Sequence, residues 1–403
     1  MMTFLLSSQN ICEYLVRYNL CTPEEKDQSL VELKVAKNFN LLLSLRNGRQ
    51  LLVKQEPHNS EGKTAGEFAR EWQIQKSLKY FPELSYIRSW LPEVLHFNPD
   101  DSIIVFNYLN NYRDLADFYA KEKENVFPPA IATAIGTILA TIHHATIDRQ
   151  NYRDFFIQNH NQISSNRPPT LIRGLDRIAP EVFGSVPEDG LRFFTLYQRY
   201  DNLGQAIAEL TRAFDPCCLV HNDLKLNNIL LNLDWEQVLT KAEESLNHGK
   251  SGEEPIVRLI DWERCGWGDP AFDLGTLIAS YLQLWLSSLV ISKTISVEES
   301  LRMAMIPLEL LQPSIAALAA AYLNQFPEIL VRRPDFLHRV VQFAGLALIQ
   351  QIRATIQYQK SFGNGGICKL QVAKSLLCRP MQSISTVFGL SESELTTHSL
   401  IPI

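Results

Sequence analysis

The stretch Cys217–Leu231, CCLVHNDLKLNNILL, sets an apolar run against a histidine, an aspartate, a lysine and two adjacent asparagines. Cys217 to Val220 reads as a short strand, with the two cysteines as small buried hydrophobes. The polar segment that follows has the order His221-x-Asp223-Leu224-x-x-x-Asn228. Asp and Asn favour turns because their side chains bond the local backbone, so either residue taken alone is as well explained by a turn as by chemistry. Downstream, Ile260-Asp261-Trp262-Glu263 follows another apolar run, and Gly266–Gly275 reads GWGDPAFDLG, with Asp273 near its end. A turn explains each residue by itself; it does not explain the fixed order of His221, Asp223, Asn228, Asp261, Glu263 and Asp273.

That order has a chemical reading. An aspartate on a loop can accept the proton of a substrate hydroxyl, an asparagine just beyond it can reach a metal, and an aspartate after the next strand can hold Mg²⁺ bridging nucleotide phosphates. Mg²⁺ suits such a set because it takes hard oxygen ligands and needs only one or two carboxylates beside the phosphates.

Working outward, the chain of 403 residues is 46% hydrophobic and 20% charged, enough to bury a sizeable core in two lobes. A net charge of -6 and a pI near 5.9 give no basic field for nucleic acid, and no long Lys/Arg run occurs. Met1-Met2-Thr3-Phe4-Leu5-Leu6 lacks a basic segment and is too short for a signal core, and the apolar run Ile315 to Tyr322 is too short for a membrane span. The seven cysteines form no C-x-x-C pair, which predicts reduced thiols and a cytoplasmic protein with neither nucleic acid nor membrane as partner.

Ser7-Ser8 can cap a short helix over Gln9 to Asn19. Val31 to Ala36, Phe39 to Leu45 and Gln50 to Lys54 are strand-like, and Asn47-Gly48 between the last two is a hairpin signal. Thr64 to Leu78 switches to helical spacing, and Glu93 to Phe97 and Ile103 to Leu109 return to strand. Beyond Asn110-Asn111 the pattern is helical over Ala130 to Thr146 and Leu191 to Phe214. The polar residues 234 to 254 read as a surface excursion, and from Leu274 onward helices are expected to break at Pro307, Pro313, Pro327 and Pro334. The expected division is residues 1–109, a sheet with one helix, and 110–403, mostly helical.

HNDLKLNNIL together with LIDWERCGWGDPAFDLG resembles the aminoglycoside phosphotransferase and choline kinase superfamily. The resemblance implies an α+β protein-kinase-like bilobal fold: a small N-lobe with an antiparallel sheet and one main helix, and a larger helical C-lobe. It implies an ATP- and Mg²⁺-dependent enzyme that phosphorylates a hydroxyl of a small molecule. Asp223 would be the catalytic base, Asn228 and Asp261 the Mg²⁺ ligands, Asp273 a buried anchor of the catalytic loop and His221 a residue orienting it. Lys54 in LLVKQ stands where the nucleotide lysine is expected and Glu71 in REWQIQKSL where its partner is expected, with Glu67 as fallback. The backbone around Asn107 to Leu109 would receive the adenine. TILATIHHAT resembles a further helix of the family, in which His143 and His144 read as packing residues. Asn222 is similar to the choline kinase form, whereas GWGDPAFDLG has the phosphotransferase form.

Lys225 stands two residues after Asp223, where protein kinases carry a lysine that touches the transferred phosphate; a cation there neutralises charge on the departing γ-phosphoryl. Glu263 shares a face with Asp261 and either reaches a second metal or makes a salt bridge. One departure stands out: the segment expected to cover the phosphates, Val35 to Asn40, has no glycine, which leaves Lys37 or Asn38 as donors. That absence keeps open a pseudokinase binding module, and Lys225 keeps open a protein kinase, although no Ala-Pro-Glu follows Asp261. From Leu282 onward ten Lys/Arg face seven Asp/Glu, not the acidic wall a polycationic aminoglycoside requires. Amino alcohol, sugar, aminoglycoside-like compound and specialised metabolite all remain as acceptors.

Overall fold

The computed structural model describes residues 4–26, 29–34, 37–121, 126–158, 188–245, 254–292 and 294–397. Contacts divide the chain into two compact units, Met1–Leu115 with Asn228–Cys265, and Ala116–Asn227 with Gly266–Ile403. The division differs from the expected 1–109 and 110–403. After the His221–Asn228 loop, one strand pairs with a strand that ends at Asp114 and a second pairs with the first, so that hydrogen bonding returns Asn228–Cys265 to the first unit.

The first unit holds a five-stranded antiparallel sheet ordered β1-β2-β3-β5-β4: β1 Leu30–Lys34, β2 Phe39–Ser44, β3 Gln50–Gln55, β4 Val94–Asn98 and β5 Ile103–Asn107. The Asn-Gly signal is realised at the β2–β3 connection, where Gly48 takes φ +82°. Period-two alternation then sorts β3. Leu51 and Val53 join Leu41, Leu43, Ile103 and Val105 against helix α1 (Ile11–Arg17). Leu52 and Lys54 turn to the other face, where Asn40 and Ile104 flank Lys54 in register. Short α2 (Pro23–Lys26) follows α1.

Helix α3 (Glu67–Tyr80) covers the Lys54 face, with Phe68 buried against Ile104 and Phe106. It begins three residues later than expected because its start is fixed from outside. Buried Glu56 accepts from the Glu67 and Phe68 N–H groups at 2.9 and 3.4 Å, a carboxylate capping the positive helix end. A second, three-stranded sheet is ordered β6-β8-β9: β6 Tyr112–Asp114, β8 Ile229–Asn232 and β9 Val257–Leu259. The excursion expected over 234 to 254 opens with a helix, α9 (Trp235–Ser245); residues 246–253 lie outside the described set.

Among its described residues the second unit is helical apart from a short 3-10 turn and β7 (Cys218–Val220) paired with β10 (Gly266–Gly268). Its earlier helices are α4 (Leu115–Lys121, starting at the boundary), α5 (Pro129–Thr146), α6 (Gln150–Gln158), α7 (Glu188–Gln198) and α8 (Asp201–Arg212). The single helix expected over Leu191 to Phe214 is therefore two. The break falls at Tyr200, whose hydroxyl accepts from Gln371 at 2.6 Å and whose ring lies under the Lys374 ammonium, so a tertiary anchor overrides local periodicity. The later helices are α10 (Pro270–Ser287), α11 (Val297–Arg302), α12 (Leu308–Gln325), α13 (Glu328–Arg332), α14 (Phe336–Gln359), α15 (Asn364–Cys378), α16 (Pro380–Phe388) and α17 (Glu392–Thr397). Pro307, Pro327 and Pro334 fall between helices as expected, but Pro313 is the sixth residue of α12, which continues through it without the bond a Pro313 N–H would give the Glu309 carbonyl. Helices α5 and α12 approach closely at Gly136, where a Cβ would stand 2.3 Å from the Leu318 carbonyl oxygen. All seven cysteines are free, and among the described residues no single helix is long and apolar enough to cross a membrane.

Candidate active site

In the first unit, the strand face that bears Lys54 opens on a slot with apolar walls, among them Leu52, Phe106, Leu230 and Ile260. Lys54, Glu71 and Asp261 stand at its polar part, and Asn107 to Leu109 form an edge. Two of the three edge N–H groups are committed: Asn107 donates to Glu93 O at 3.0 Å and Tyr108 to Gln50 O at 2.9 Å. The Leu109 N–H makes no bond among the described residues and is the donor left for a planar ligand. Asn107 also donates its side-chain amide to Glu93 Oε2 at 3.0 Å.

Lys54 Nζ bonds Asp261 Oδ1 at 2.6 Å, where the sequence reading pairs it with Glu71. Among the described residues Lys54 and Glu71 form no ion pair; nor is the fallback, Glu67, on Lys54, because Lys37 takes it at 2.5 Å. Burial alone would lower the Lys54 pKa, but the charges of Asp261 and Glu71 outweigh it and raise it. Burial pushes Glu71 up to about 8; the Lys54 ammonium works against this, and Asp261 and Glu263 add to it. Between the ordinary carboxyl range and about 8 the folded state binds the extra proton, so Glu71 subtracts stability as pH rises through that window. Glu71→Gln, which mimics the protonated form, is expected to flatten the fall in unfolding free energy between pH 5 and 8. Denaturant titrations of both proteins at the two pH values test this, and parallel pH profiles would count against it.

The glycine-free segment is tied down by side chains, although Val35 and Ala36 lie outside the described residues. Lys37 also reaches Glu263 at 3.5 Å, Asn38 Nδ2 meets Glu263 Oε2 at 3.5 Å, and Arg70 Nε donates to the Glu263 carbonyl at 2.7 Å. Glu263 thus takes the salt-bridge role of its two readings, and burial raises its carboxyl, with Glu67 adding and Lys37 opposing.

Asn228 is 4% exposed at the start of β8, and its carbonyl accepts from the Ile260 N–H at 2.9 Å, which brings it and Asp261 to one end of the β8–β9 pair. Asp261 is held at φ +60°, a left-handed conformation uncommon for an aspartate and often found at functional sites. One amide oxygen and one carboxylate that already draws a cation form a donor set suited to Mg²⁺. Among the described residues no cluster of three or more His, Cys, Asp or Glu is placed to hold a metal, so an ion here would need further oxygens from a ligand.

In the second unit the loop that begins at His221 leaves β7 and is clamped from beneath. Asp273, fully buried in the first turn of α10, accepts the His221 N–H at 2.6 Å and the Asn222 N–H at 2.8 Å. His143, also fully buried, lies between Tyr322 Oη at 2.9 Å and Asp273 Oδ2 at 3.4 Å, a packing and bonding role as expected from its helix. Asn222 turns the chain at φ +64°. The Asp223 N–H meets His221 Nδ1 at 3.3 Å, and Lys225 Nζ lies 3.1 Å from Asp223 Oδ2.

A deeper support is absent from the sequence reading. Arg339 of α14, 2% exposed, bonds Asp269, which caps α10 through the Ala271 N–H at 3.0 Å and takes the Asp215 N–H at 3.1 Å. The available signal was an arginine inside the apolar stripe Phe336, Val340, Phe343, where a charge is expensive unless paired.

The choline/ethanolamine kinase family matches residues 117–283, the stretch that carries the His221–Asn228 loop, Asp261 and Asp273. Curated protein sequences give no match. Among solved structures, a choline/ethanolamine kinase family protein from Mesorhizobium loti is 15% identical, with 97% of this chain and 98% of that one covered and a TM-score of 0.46. Choline kinase LicA from Streptococcus pneumoniae is 16% identical over 92% and 98%, with a TM-score of 0.39. The streptomycin–ATP–APH(2")-IIa ternary complex is 15% identical over 93% and 99%, with a TM-score of 0.47.

Proposed function

We infer that this chain, a protein-kinase-like small-molecule phosphotransferase by the family match over 117–283, moves the γ-phosphoryl of ATP to a hydroxyl of a small molecule such as an amino alcohol, a sugar or a related metabolite. The observation that carries the reading is the slot of the first unit: apolar walls of the kind adenine packs against, the Leu109 N–H at its edge, and the Lys54–Asp261 pair at its polar part.

Leu52, Phe106 and Ile260 would stack on the base. The Lys54 ammonium, with Glu71 behind it, would place the α- and β-phosphates. Asn228 and Asp261 would hold Mg²⁺, which when bound neutralises charge on the β- and γ-phosphates. The acceptor oxygen attacks the γ-phosphorus, the bond to the β–γ bridging oxygen breaks, ADP leaves, and the hydroxyl proton passes to Asp223. Lys225, 3.1 Å from Asp223, offers positive charge to the phosphoryl in flight. Holding the reactants in line supplies most of the acceleration, because the chemistry asked of the protein is small.

The test follows ADP release from Mg-ATP over a panel of amino alcohols, sugars and hydroxylated metabolites. An acceptor-dependent rate well above hydrolysis by water is expected for at least one class, with phosphate recovered on its hydroxyl. Thermal stabilisation by Mg-ATP with no acceptor-dependent ADP would make the chain a nucleotide-binding module. No stabilisation by Mg-ATP at all would remove the reading altogether.

A further inference from the structure

Within the second unit, a cavity of about 490 Å³ opens among α10, α11, α15 and α16, well within the range of small-molecule sites. It lies away from the catalytic loop. Asp273, which clamps that loop, is in the first turn of α10, whereas Trp285, which lines the cavity, is twelve residues further along the same helix. At about 1.5 Å per residue the two are roughly 18 Å apart. A small acceptor with its hydroxyl at Asp223 does not fill this space.

The walls are apolar, with Leu282, Trp285, Leu308 and Leu376 among them. The Trp285 Nε1 atom is sealed from solvent, so the indole presents carbon surface to the cavity. The polar groups are unusual in what they have left to offer. Gln371 spends its amide on Tyr200 Oη at 2.6 Å, Ser375 Oγ donates to Gln371 O at 3.2 Å, and Ser383 Oγ donates to Arg379 O at 2.8 Å. What remains is the Gln371 carbonyl oxygen with the second N–H of its amide, hydroxyl lone pairs, and the Thr386 hydroxyl, able to act either way. Glu298 is the charged residue among those that line the cavity; it is exposed and makes no hydrogen bond or ion pair among the described residues. Apolar walls, an aromatic surface and one carboxylate that makes no ion pair among the described residues together select a hydrophobic body that carries a positive charge.

We propose that this cavity is a second ligand site, separate from the acceptor site, for a hydrophobic amine: the alkyl or aryl body lies against Leu282, Trp285 and Leu376, and the ammonium faces Glu298. The site does not depend on the phosphotransfer reading, and its test does not use turnover.

Isothermal calorimetry on the full chain with n-octylammonium chloride, which has no hydroxyl to phosphorylate, is expected to show saturable binding at one site. Octanoate, of the same length and opposite charge, is expected to bind at least tenfold more weakly because the single charge at the site repels it. Glu298→Gln, an exposed position that leaves folding intact, is expected to weaken octylammonium roughly fivefold, the scale of one partly solvated ion pair. Trp285→Leu, its melting temperature checked in parallel, should weaken it further, and Asp223→Asn should leave it unchanged. Octanoate binding as tightly as octylammonium, an unaltered affinity in Glu298→Gln, or non-saturating heats would each overturn the proposal.

Discussion

Asp223→Asn is expected to lower turnover by about 10²–10⁴-fold, the usual share of general-base help, while leaving ATP affinity within about twofold. The substitution is nearly isosteric and the loop is held by its backbone: Asp273 grips the His221 and Asn222 N–H groups whatever stands at 223. The Lys225 pair is lost, but with the two side chains 22% and 45% exposed such a pair is worth under about 1 kcal/mol, too little to unfold the loop. The nucleotide residues proposed above, Lys54 and Leu109, belong to the other compact unit and are untouched. Steady-state turnover with the best acceptor, alongside calorimetry with Mg-ATP, separates the two quantities. Unchanged turnover would remove Asp223 from the chemistry; parallel loss of turnover and ATP affinity would make it a structural residue.

Arg339→Met is expected to cost about 3–5 kcal/mol of stability, because it strips the counter-charge from a carboxylate that is itself only 3% exposed. Asp269 would keep its bonds from the Ala271 and Asp215 N–H groups, which are not enough to solvate a buried negative charge. The damage should reach the catalytic loop, since Asp269 caps the helix whose first turn presents Asp273. Adding Asp269→Asn to the same chain removes the stranded charge and is expected to recover much of the loss, as neutral replacements of buried pairs often do. Denaturant unfolding of the two single variants and the double variant measures this coupling. Strictly additive losses would show that Arg339 and Asp269 are not an energetic pair.

The parts of the fold that were legible are those in which local rules and tertiary demands agree. The Asn47-Gly48 hairpin, the alternating strand that delivers Lys54 and the long helix ending at Thr146 were readable because turn chemistry and periodicity act over a few residues. The reading failed where a distant group intervenes: the Glu56 carboxylate sets the start of α3, the Tyr200 anchor splits an expected helix, and Pro313 is absorbed into α12.

The sequence by itself determined that the candidate set His221, Asp223, Lys225 and Asn228 comes together, because these residues lie in one loop, where spacing along the chain is nearly spacing in space. Only the tertiary structure decided which charges meet. Lys54 reaches an aspartate 207 residues away instead of the helix glutamate beside it, and Arg339 reaches Asp269 across 70 residues. The physical reason is that a buried charge selects its partner by distance and desolvation, and the chain fixes neither until the strands and helices have packed.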